Sequence, residues 1–151
     1  MKKKSEEIQY EFLKSFISLC MTKEIMEIFG TPLTRDNFCI HNKHPKKVCR
    51  VIQYLGRNTE IEVDGDIGQV EPNDLIWLPT AEEIRQKFCI AKDDGFWHGY
   101  KNFVADPAHY GYSLEELDRF PSEEERWLLY CMVVKRGKRF KNNEWLPFNY
   151  Q

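Results

Sequence analysis

One group of residues has side chains and spacing that could hold a metal ion, Cys39-x-His41-x2-His44-x4-Cys49. Zinc takes four thiolate or imidazole ligands in tetrahedral geometry, and alternate residues of a strand, such as Cys39 and His41, share one face. Structural zinc sites take ligand pairs from tight turns, however, and neither cysteine belongs to a CxxC pair. Three lysines add charge that opposes a cation, Lys43, Lys46 and Lys47. We therefore expect ordinary strand residues here and no metal.

Cysteine catalysis is a second chemistry to weigh, because the chain has five cysteines and four histidines. A cysteine nucleophile needs a histidine within reach and a group that orients it, and no cysteine here has such a local context. Cys20, Cys89 and Cys131 fall on predicted apolar helix faces, where cysteine acts as a small hydrophobic residue. An odd, irregularly spaced set also argues against a disulfide framework. We expect reduced cysteines, no catalytic residue and no cofactor.

A third group lies in residues 93–112, which are rich in glycine and aromatic residues. The candidate ligand-binding residues there are Trp97, His98, Tyr100, Asp106, His109 and Tyr110. Aromatic walls with a few polar groups would suit a small ligand, a nucleotide or an unstacked base. The alternative, which we favour, is a structured loop whose rings complete the core while their polar tips reach water.

Five cations near the end of the chain form its densest basic patch, and two aromatic residues, Phe140 and Trp145, are interleaved with them. The cations are Lys135, Arg136, Lys138, Arg139 and Lys141. Such a patch could bind phosphates while an aromatic ring stacks on a base. Cations at a helix C-terminus are also ordinary, since they stabilise the negative end of the helix dipole. The patch is therefore a candidate surface for nucleic acid or for a protein partner.

Acidic residues concentrate elsewhere, between residues 60 and 74. They are Glu60, Glu62, Asp64, Asp66, Glu71 and Asp74, with no cation between them. The chain is thus charge-polarised although its net charge is only −2. Polarised charge favours oriented docking to another protein, or a homo-oligomer, at least as much as nucleic acid. The strip lacks the pattern of a calcium-binding loop.

These side chains must be positioned by secondary structure, and residues 5–29 are predicted to be helical. Ile8, Phe12 and Phe16 begin an apolar stripe at helical spacing. Thr22 could begin a second short helix that Gly30 ends, or the whole segment could be one helix with a break near Thr22.

Residues 37–78 have strand character. The runs at 38–41, 48–55, 60–64 and 75–78 alternate or are rich in β-branched and aromatic residues, with turn signals between them. They predict a small antiparallel sheet of three or four strands. A helix over 45–55 is the rival interpretation, because the apolar residues there also fit helical spacing.

Three Ser/Thr-x-x-Glu capping boxes predict helix starts at Thr80, Ser113 and Ser122. The last helix should run to Arg136 and end at Gly137. Trp127, Leu128, Cys131 and Val134 should lie on or near its buried side, and the final Trp145-Leu-Pro-Phe segment should pack back on the body. The fold class is therefore α+β, a single domain over 1–151 with a small antiparallel sheet packed with N-terminal and C-terminal helices.

The apolar runs and the first residues of the sequence indicate where the protein is located. The longest apolar run has only the eight residues 127–134, much less than a membrane span requires. The basic start Met1-Lys-Lys-Lys leads into Ser5-Glu-Glu and not into the apolar stretch of a signal peptide. We expect no membrane association and a reducing, cytoplasmic location.

Two stretches carry a family resemblance, Asp74-Leu-Ile-Trp-Leu-Pro-Thr-Ala-Glu-Glu-Ile84 and the last helix running into Lys141-Asn-Asn-Glu-Trp145. Together they resemble small proteins of tailed bacteriophages and prophages, which share a Trp-Leu-Pro-Thr/Arg helix start and a later apolar helix with a basic, aromatic end. Gly30-Thr-Pro-Leu33 is similar as well. The resemblance covers the last half of the chain, and no functional residue transfers from it. It implies an accessory protein working in the bacterial host.

These observations leave three hypotheses about function. The first is a non-enzymatic accessory protein that binds a host or phage protein and modulates host metabolism or defence. The second is a small nucleic-acid-binding module that uses the basic tail. The third is a small-ligand or nucleotide binder at residues 96–112. We expect the first.

Overall fold

The computed structural model describes residues 14–149, and Lys46 only through its backbone. Their contacts group into two compact units, with the boundary between Pro79 and Thr80. The expectation of a single domain over 1–151 stays a prediction. The fold class is confirmed, since the chain combines helices with an antiparallel sheet. Within the described range, no helix is long and apolar enough to cross a membrane.

The first unit begins with two short helices, α1 in residues 14–20 and α2 at Lys23–Phe29. The chain leaves helical geometry at residues 21 and 22, where both interpretations placed a break, and a second short helix begins after Thr22 as the first interpretation expected. Thr22 occupies the N-cap position with extended backbone angles, although its hydroxyl donates to the Leu19 carbonyl at 2.7 Å. Gly30 ends α2 at a φ of 68°. The predicted helical positions Ile8 and Phe12 lie outside the described residues.

The five strands of the first unit are β1 (Phe38–His41), β2 (His44–Tyr54), β3 (Thr59–Val63), β4 (Asp66–Val70) and β5 (Leu75–Leu78). Their order across the sheet is β4-β3-β2-β1-β5, and every neighbouring pair is antiparallel. The rival helix over 45–55 is wrong, because β2 pairs on both sides and its β-branched residues fit a sheet. The sheet has five strands where three or four were expected, and β4 is the strand that was not predicted.

The second unit contains four helices, α3 (Ala81–Lys87), α4 (Gly95–Ala105), α5 (Leu114–Asp118) and α6 (Glu123–Arg136). All three predicted capping boxes form, with both halves of each reciprocal hydrogen-bond pair present. Gly137 ends α6 in left-handed geometry, as predicted. A hairpin follows, with β6 at Lys138–Lys141 and β7 at Glu144–Pro147.

Helix α6 is the core element of the second unit. Its buried residues are Glu125, Trp127, Leu128, Leu129, Tyr130, Cys131, Met132 and Val133. This set extends round the helix, beyond the single buried side that was predicted, and Val134 is only partly buried. Trp145 is buried as well, so the tail does pack back on its unit.

Residues 93–112 are not the loop that we expected. Most of them form α4 and a 3-10 turn at Pro107–Tyr110. Asp94 caps α4, since its carboxylate accepts from the Phe96 N–H at 2.9 Å. Phe103 and Tyr110 then pack edge-to-face in the core, with ring centroids 5.4 Å apart. The prediction failed because glycine and aromatic residues have low intrinsic helix propensity, which tertiary packing overrides here.

Candidate functional site

The strand pairing brings the predicted metal-like group together as two separate pairs. Cys39 lies opposite Cys49, and His41 lies opposite His44, on the β1–β2 hairpin. Both thiols are buried in the core of the first unit, with Val51 among their neighbours. In residues 14–149, no three His, Cys, Asp or Glu side chains are arranged to hold a metal ion.

The two thiols interact with each other. The hydrogen bond between them raises the pKa of the Cys39 thiol, together with its burial, and lowers the pKa of the Cys49 thiol. His41 has other partners, because its Nδ1 accepts from the Lys43 N–H at 3.2 Å and its Nε2 lies 3.9 Å from an Asp74 carboxylate oxygen. The Cys39, Cys49 and His41 side chains thus have partners within the first unit.

The remaining cysteines are in two kinds of setting. Cys20 and Cys131 are buried, and burial raises the pKa of the Cys131 thiol, as expected of a cysteine in an apolar core. Cys89 is exposed, so its predicted place on an apolar helix face is wrong. The helix α3 stops short of it, and Cys89 adopts a φ of 58° in the turn that follows.

The six candidate residues of the aromatic segment divide into two groups. Tyr110 is buried, and Trp97 and Tyr100 are half-buried against α6. The Tyr100 ring stacks on Trp127 with centroids 3.9 Å apart and planes 6° from parallel. Burial raises the pKa of the Tyr100 hydroxyl to about 12. The other three candidates, His98, Asp106 and His109, are instead exposed.

An arginine that sequence reasoning missed completes this aromatic cluster. The Arg85 guanidinium lies 4.3 Å from the Trp97 ring centroid and 5.0 Å from that of Trp127. Such cation–π contacts contribute about 0.5–2 kcal/mol. The rings that were candidates for binding a ligand are therefore occupied by one another and by this cation.

Three of the five cations in the basic patch are held within the second unit. The Lys135 ammonium lies 4.2 Å from the Phe96 ring centroid, and the Arg136 guanidinium lies 5.8 Å from the Phe88 ring centroid. Arg139 donates to the Gly111 carbonyl at 3.2 Å and also faces the Phe148 ring. Lys138 is half-buried and Lys141 is exposed.

The two aromatic residues interleaved with the patch are turned inward. An Asn142–Asn143 turn with positive φ angles closes the β6–β7 hairpin and pairs Phe140 with Trp145. Both rings are buried, at 9% and 7% exposure, with centroids 4.9 Å apart. Neither ring presents a free face on which a base could stack.

The acidic strip is partly neutralised by cations from a neighbouring strand. Arg50 on β2 donates to Glu62 on β3 at 2.9 Å, and the Lys47 ammonium lies 3.2 Å from an Asp64 carboxylate oxygen. The linear sequence did not show these pairs, because they depend on strand register. Asp66 and Glu71, at either end of β4, are exposed.

A surface that the sequence did not indicate runs across four strands of the first sheet. Phe38, Arg50, Glu62 and Ile67 are successive cross-strand partners on β1, β2, β3 and β4. Cross-strand partners share a face, so these residues form one transverse row. Its apolar ends are exposed, Phe38 at 45% and Ile67 at 61%, and the Arg50–Glu62 ion pair lies in the middle.

The row ends at an edge of the sheet. Within the described part of the chain, β4 pairs with β3 alone, and its first four residues are exposed. The opposite edge strand, β5, differs because most of its side chains are buried and it lies against α2, where Phe29 and Trp77 pack with centroids 5.7 Å apart. We call the outer side of β4 the open edge.

Comparisons with known proteins give no relative for this chain. No protein-family model, curated protein or solved structure matches it. The function must therefore be inferred from the geometry of the described residues and from the resemblance to phage proteins.

Proposed function

We propose that the chain is a non-enzymatic accessory protein of a bacteriophage or prophage that binds a host or phage protein and modulates host metabolism or defence. The observation that carries this proposal is the transverse row, with exposed apolar side chains at both ends and an ion pair between them. Isolated exposed apolar residues are common and need no explanation. Here strand register aligns two of them on one face.

The size of the row suits the centre of an interface. Neighbouring strands are about 4.8 Å apart, so a row across four strands spans about 14 Å. Binding energy in protein interfaces concentrates in a few such side chains, ringed by polar groups that exclude water. The ion pair is half-exposed in the free protein, and a partner would desolvate it, which favours a partner with matching polar groups.

The two other hypotheses find less support. Nucleic-acid binding by the basic tail would have to compete with the intramolecular contacts of Lys135, Arg136 and Arg139. Ligand binding at residues 96–112 would have to separate rings that stack on α6 and on Arg85. A partner on the transverse row displaces no such contact.

Capture from a bacterial lysate with the tagged full chain tests the proposal. Ile67→Ser should abolish capture of a stoichiometric partner, because it removes the exposed apolar end of the row. Leu114→Ser is the matched control, since Leu114 is equally exposed at 62% but lies in the second unit. Equal loss or equal retention in the two variants would contradict the proposed site.

A second experiment tests whether the protein is an enzyme. A chain carrying His98→Ala, Asp106→Ala and His109→Ala should fold and capture the same partner as the wild type. These side chains are exposed, so their removal should cost little stability. A folded triple variant that lost the biological effect, while the wild type consumed a metabolite, would show that the protein is an enzyme.

A further inference from the structure

The open edge of β4 has the features of a strand that accepts another strand. All five of its residues pair with β3 in continuous register, without a bulge. Its sequence, Asp66-Ile-Gly-Gln-Val70, has neither proline nor lysine, the residues that natural edge strands use to block pairing. At Gly68 an added Cβ would meet no heavy atom within 4 Å. Nothing in the strand itself obstructs an approaching backbone.

The turn before β4 identifies the backbone groups that point outward. Asp64 and Gly65 have φ values of 53° and 86°, as in a two-residue type I′ turn. Such a turn makes Val63 and Asp66 the closing hydrogen-bonded pair, and bonding then alternates along the strand. Ile67 and Gln69 therefore direct their N–H and C=O groups away from β3. The open edge offers two donors and two acceptors.

The charge around the edge indicates the kind of strand that fits it. No lysine or arginine occurs between residues 58 and 84. Arg50 and Lys47 neutralise Glu62 and Asp64, which leaves Asp66 and Glu71 exposed at the two ends of β4, about 17 Å apart along an extended chain. A cationic segment would be attracted at both ends.

We propose that the partner adds an extended, lysine- or arginine-bearing segment to the open edge as a sixth strand of the sheet. The proposal rests on the proposed function and specifies its partner. Main-chain hydrogen bonds would supply affinity, and the acidic ends would select for cationic side chains. A second copy of this chain fits less well, because edge-to-edge pairing of two β4 strands would bring Asp66 and Glu71 of both copies together.

A peptide probe tests strand addition directly. The probe is a fluorescent nine-residue peptide of alternating lysine and valine, and a glutamate–valine peptide is its charge-reversed control. Gln69→Pro removes one outward N–H without breaking the ladder to β3, because proline is tolerated at solvent-facing edge positions. Gln69→Ala keeps that N–H and is the matched control. Circular dichroism and thermal unfolding establish that both variants fold.

The wild type and Gln69→Ala should bind the lysine peptide with affinities within threefold of each other. Gln69→Pro should bind it at least tenfold more weakly, and the glutamate peptide should not bind. Should Gln69→Pro fail to fold, the double variant Asp66→Asn/Glu71→Gln replaces it, with affinity expected to fall at least threefold.

Any one of the following results overturns the proposal. The lysine peptide could fail to bind the wild type, bind equally when the edge is altered, or bind no better than the glutamate peptide. Sedimentation could also reveal a dimer that Gln69→Pro dissociates, which would make a second copy the occupant. A lysate partner lost on Ile67→Ser but kept by Gln69→Pro would refute strand addition alone. Capture insensitive to both changes would refute the proposed function as well.

Discussion

Replacing Gly99 by alanine should destabilise the second unit, although alanine is the better helix former. Gly99 is in the interior of α4, where a glycine-to-alanine change usually stabilises by about 1 kcal/mol. The added methyl, however, would overlap the Tyr130 hydroxyl oxygen and lie 3.5 Å from the ring carbon that bears it. The sign of the effect depends on whether Tyr130 can move.

Tyr130 has little freedom to move. It is 1% exposed, and its hydroxyl donates to the Phe96 carbonyl. Its ring packs against Tyr110 and Trp127, with centroids 5.7 and 5.8 Å away. Overpacking of this kind costs about 1–3 kcal/mol, and loss of the hydroxyl's hydrogen bond adds about 1 kcal/mol. After the gain in helix propensity is subtracted, a net loss of about 1–3 kcal/mol remains.

Thermal and denaturant unfolding of a small set of variants measure this loss. Gly95→Ala is the control within the same helix, because no heavy atom lies within 4 Å of its added Cβ. We expect it to change stability by less than about 0.5 kcal/mol. Tyr130→Phe removes the overlapping oxygen, so Gly99→Ala should cost at least about 1 kcal/mol less in the Tyr130→Phe background than in the wild type.

Two results would refute the reasoning. A rise in the melting temperature of Gly99→Ala would mean that helix propensity prevails over packing. Strict additivity of Gly99→Ala and Tyr130→Phe would mean that the two side chains do not meet. Either result would mean that the contact between Gly99 and Tyr130 does not constrain α4, which would weaken the packing argument against a ligand site in the aromatic segment.

The Ser122 cap, the Tyr100 hydroxyl and the basic patch each give a further prediction. Ser122→Ala should cost about 2 kcal/mol in chemical unfolding, against about 1 kcal/mol for Ser113→Ala, because only the Ser122 hydroxyl also donates a hydrogen bond to a buried carboxylate, that of Glu125. The pKa of Tyr100 is raised to about 12, so its contribution to stability is complete below pH 10 and is lost as the pH rises from 10 through 12. Unfolding curves at pH 9 and pH 11 should show this loss of stability in the wild type. The loss should be smaller in Tyr100→Phe. Anisotropy with labelled duplex DNA should show no sub-micromolar binding at physiological salt, and such binding, if weakened by Lys138→Glu/Lys141→Glu, would favour the nucleic-acid hypothesis.

The features predicted correctly are those that depend on residues close together in sequence. A capping box needs a hydroxyl and a carboxylate three positions apart, and the boxes at Thr80, Ser113 and Ser122 all formed. The strand at 48–55 was identified from its β-branched residues, although its start was placed four residues late. These local preferences agree with the final fold, so sequence alone sufficed.

The missed elements depend on distant partners. Strand β4 contains Gly68 and only two β-branched residues, and it becomes a strand by pairing with β3. Helix α4 has two glycines, and Gly99 is needed there because Tyr130, far along the chain, occupies the space beside it. The β6–β7 hairpin did have a readable signal, since consecutive asparagines favour the positive φ angles of a type I′ turn.

Strand register also explains why the candidate site was missed. In the linear sequence the acids from Glu60 to Asp74 form an uninterrupted strip, and Arg50 has no evident relation to them. Register places Arg50 beside Glu62 and extends the same row to Phe38 and Ile67. Pairing thus gives Glu62 and Asp64 cationic partners, while Asp66 and Glu71 at the ends of β4 stay exposed. The charge that could select a partner, that of Asp66 and Glu71, becomes evident only once the strands are paired. A search for motifs along the sequence could therefore not find it.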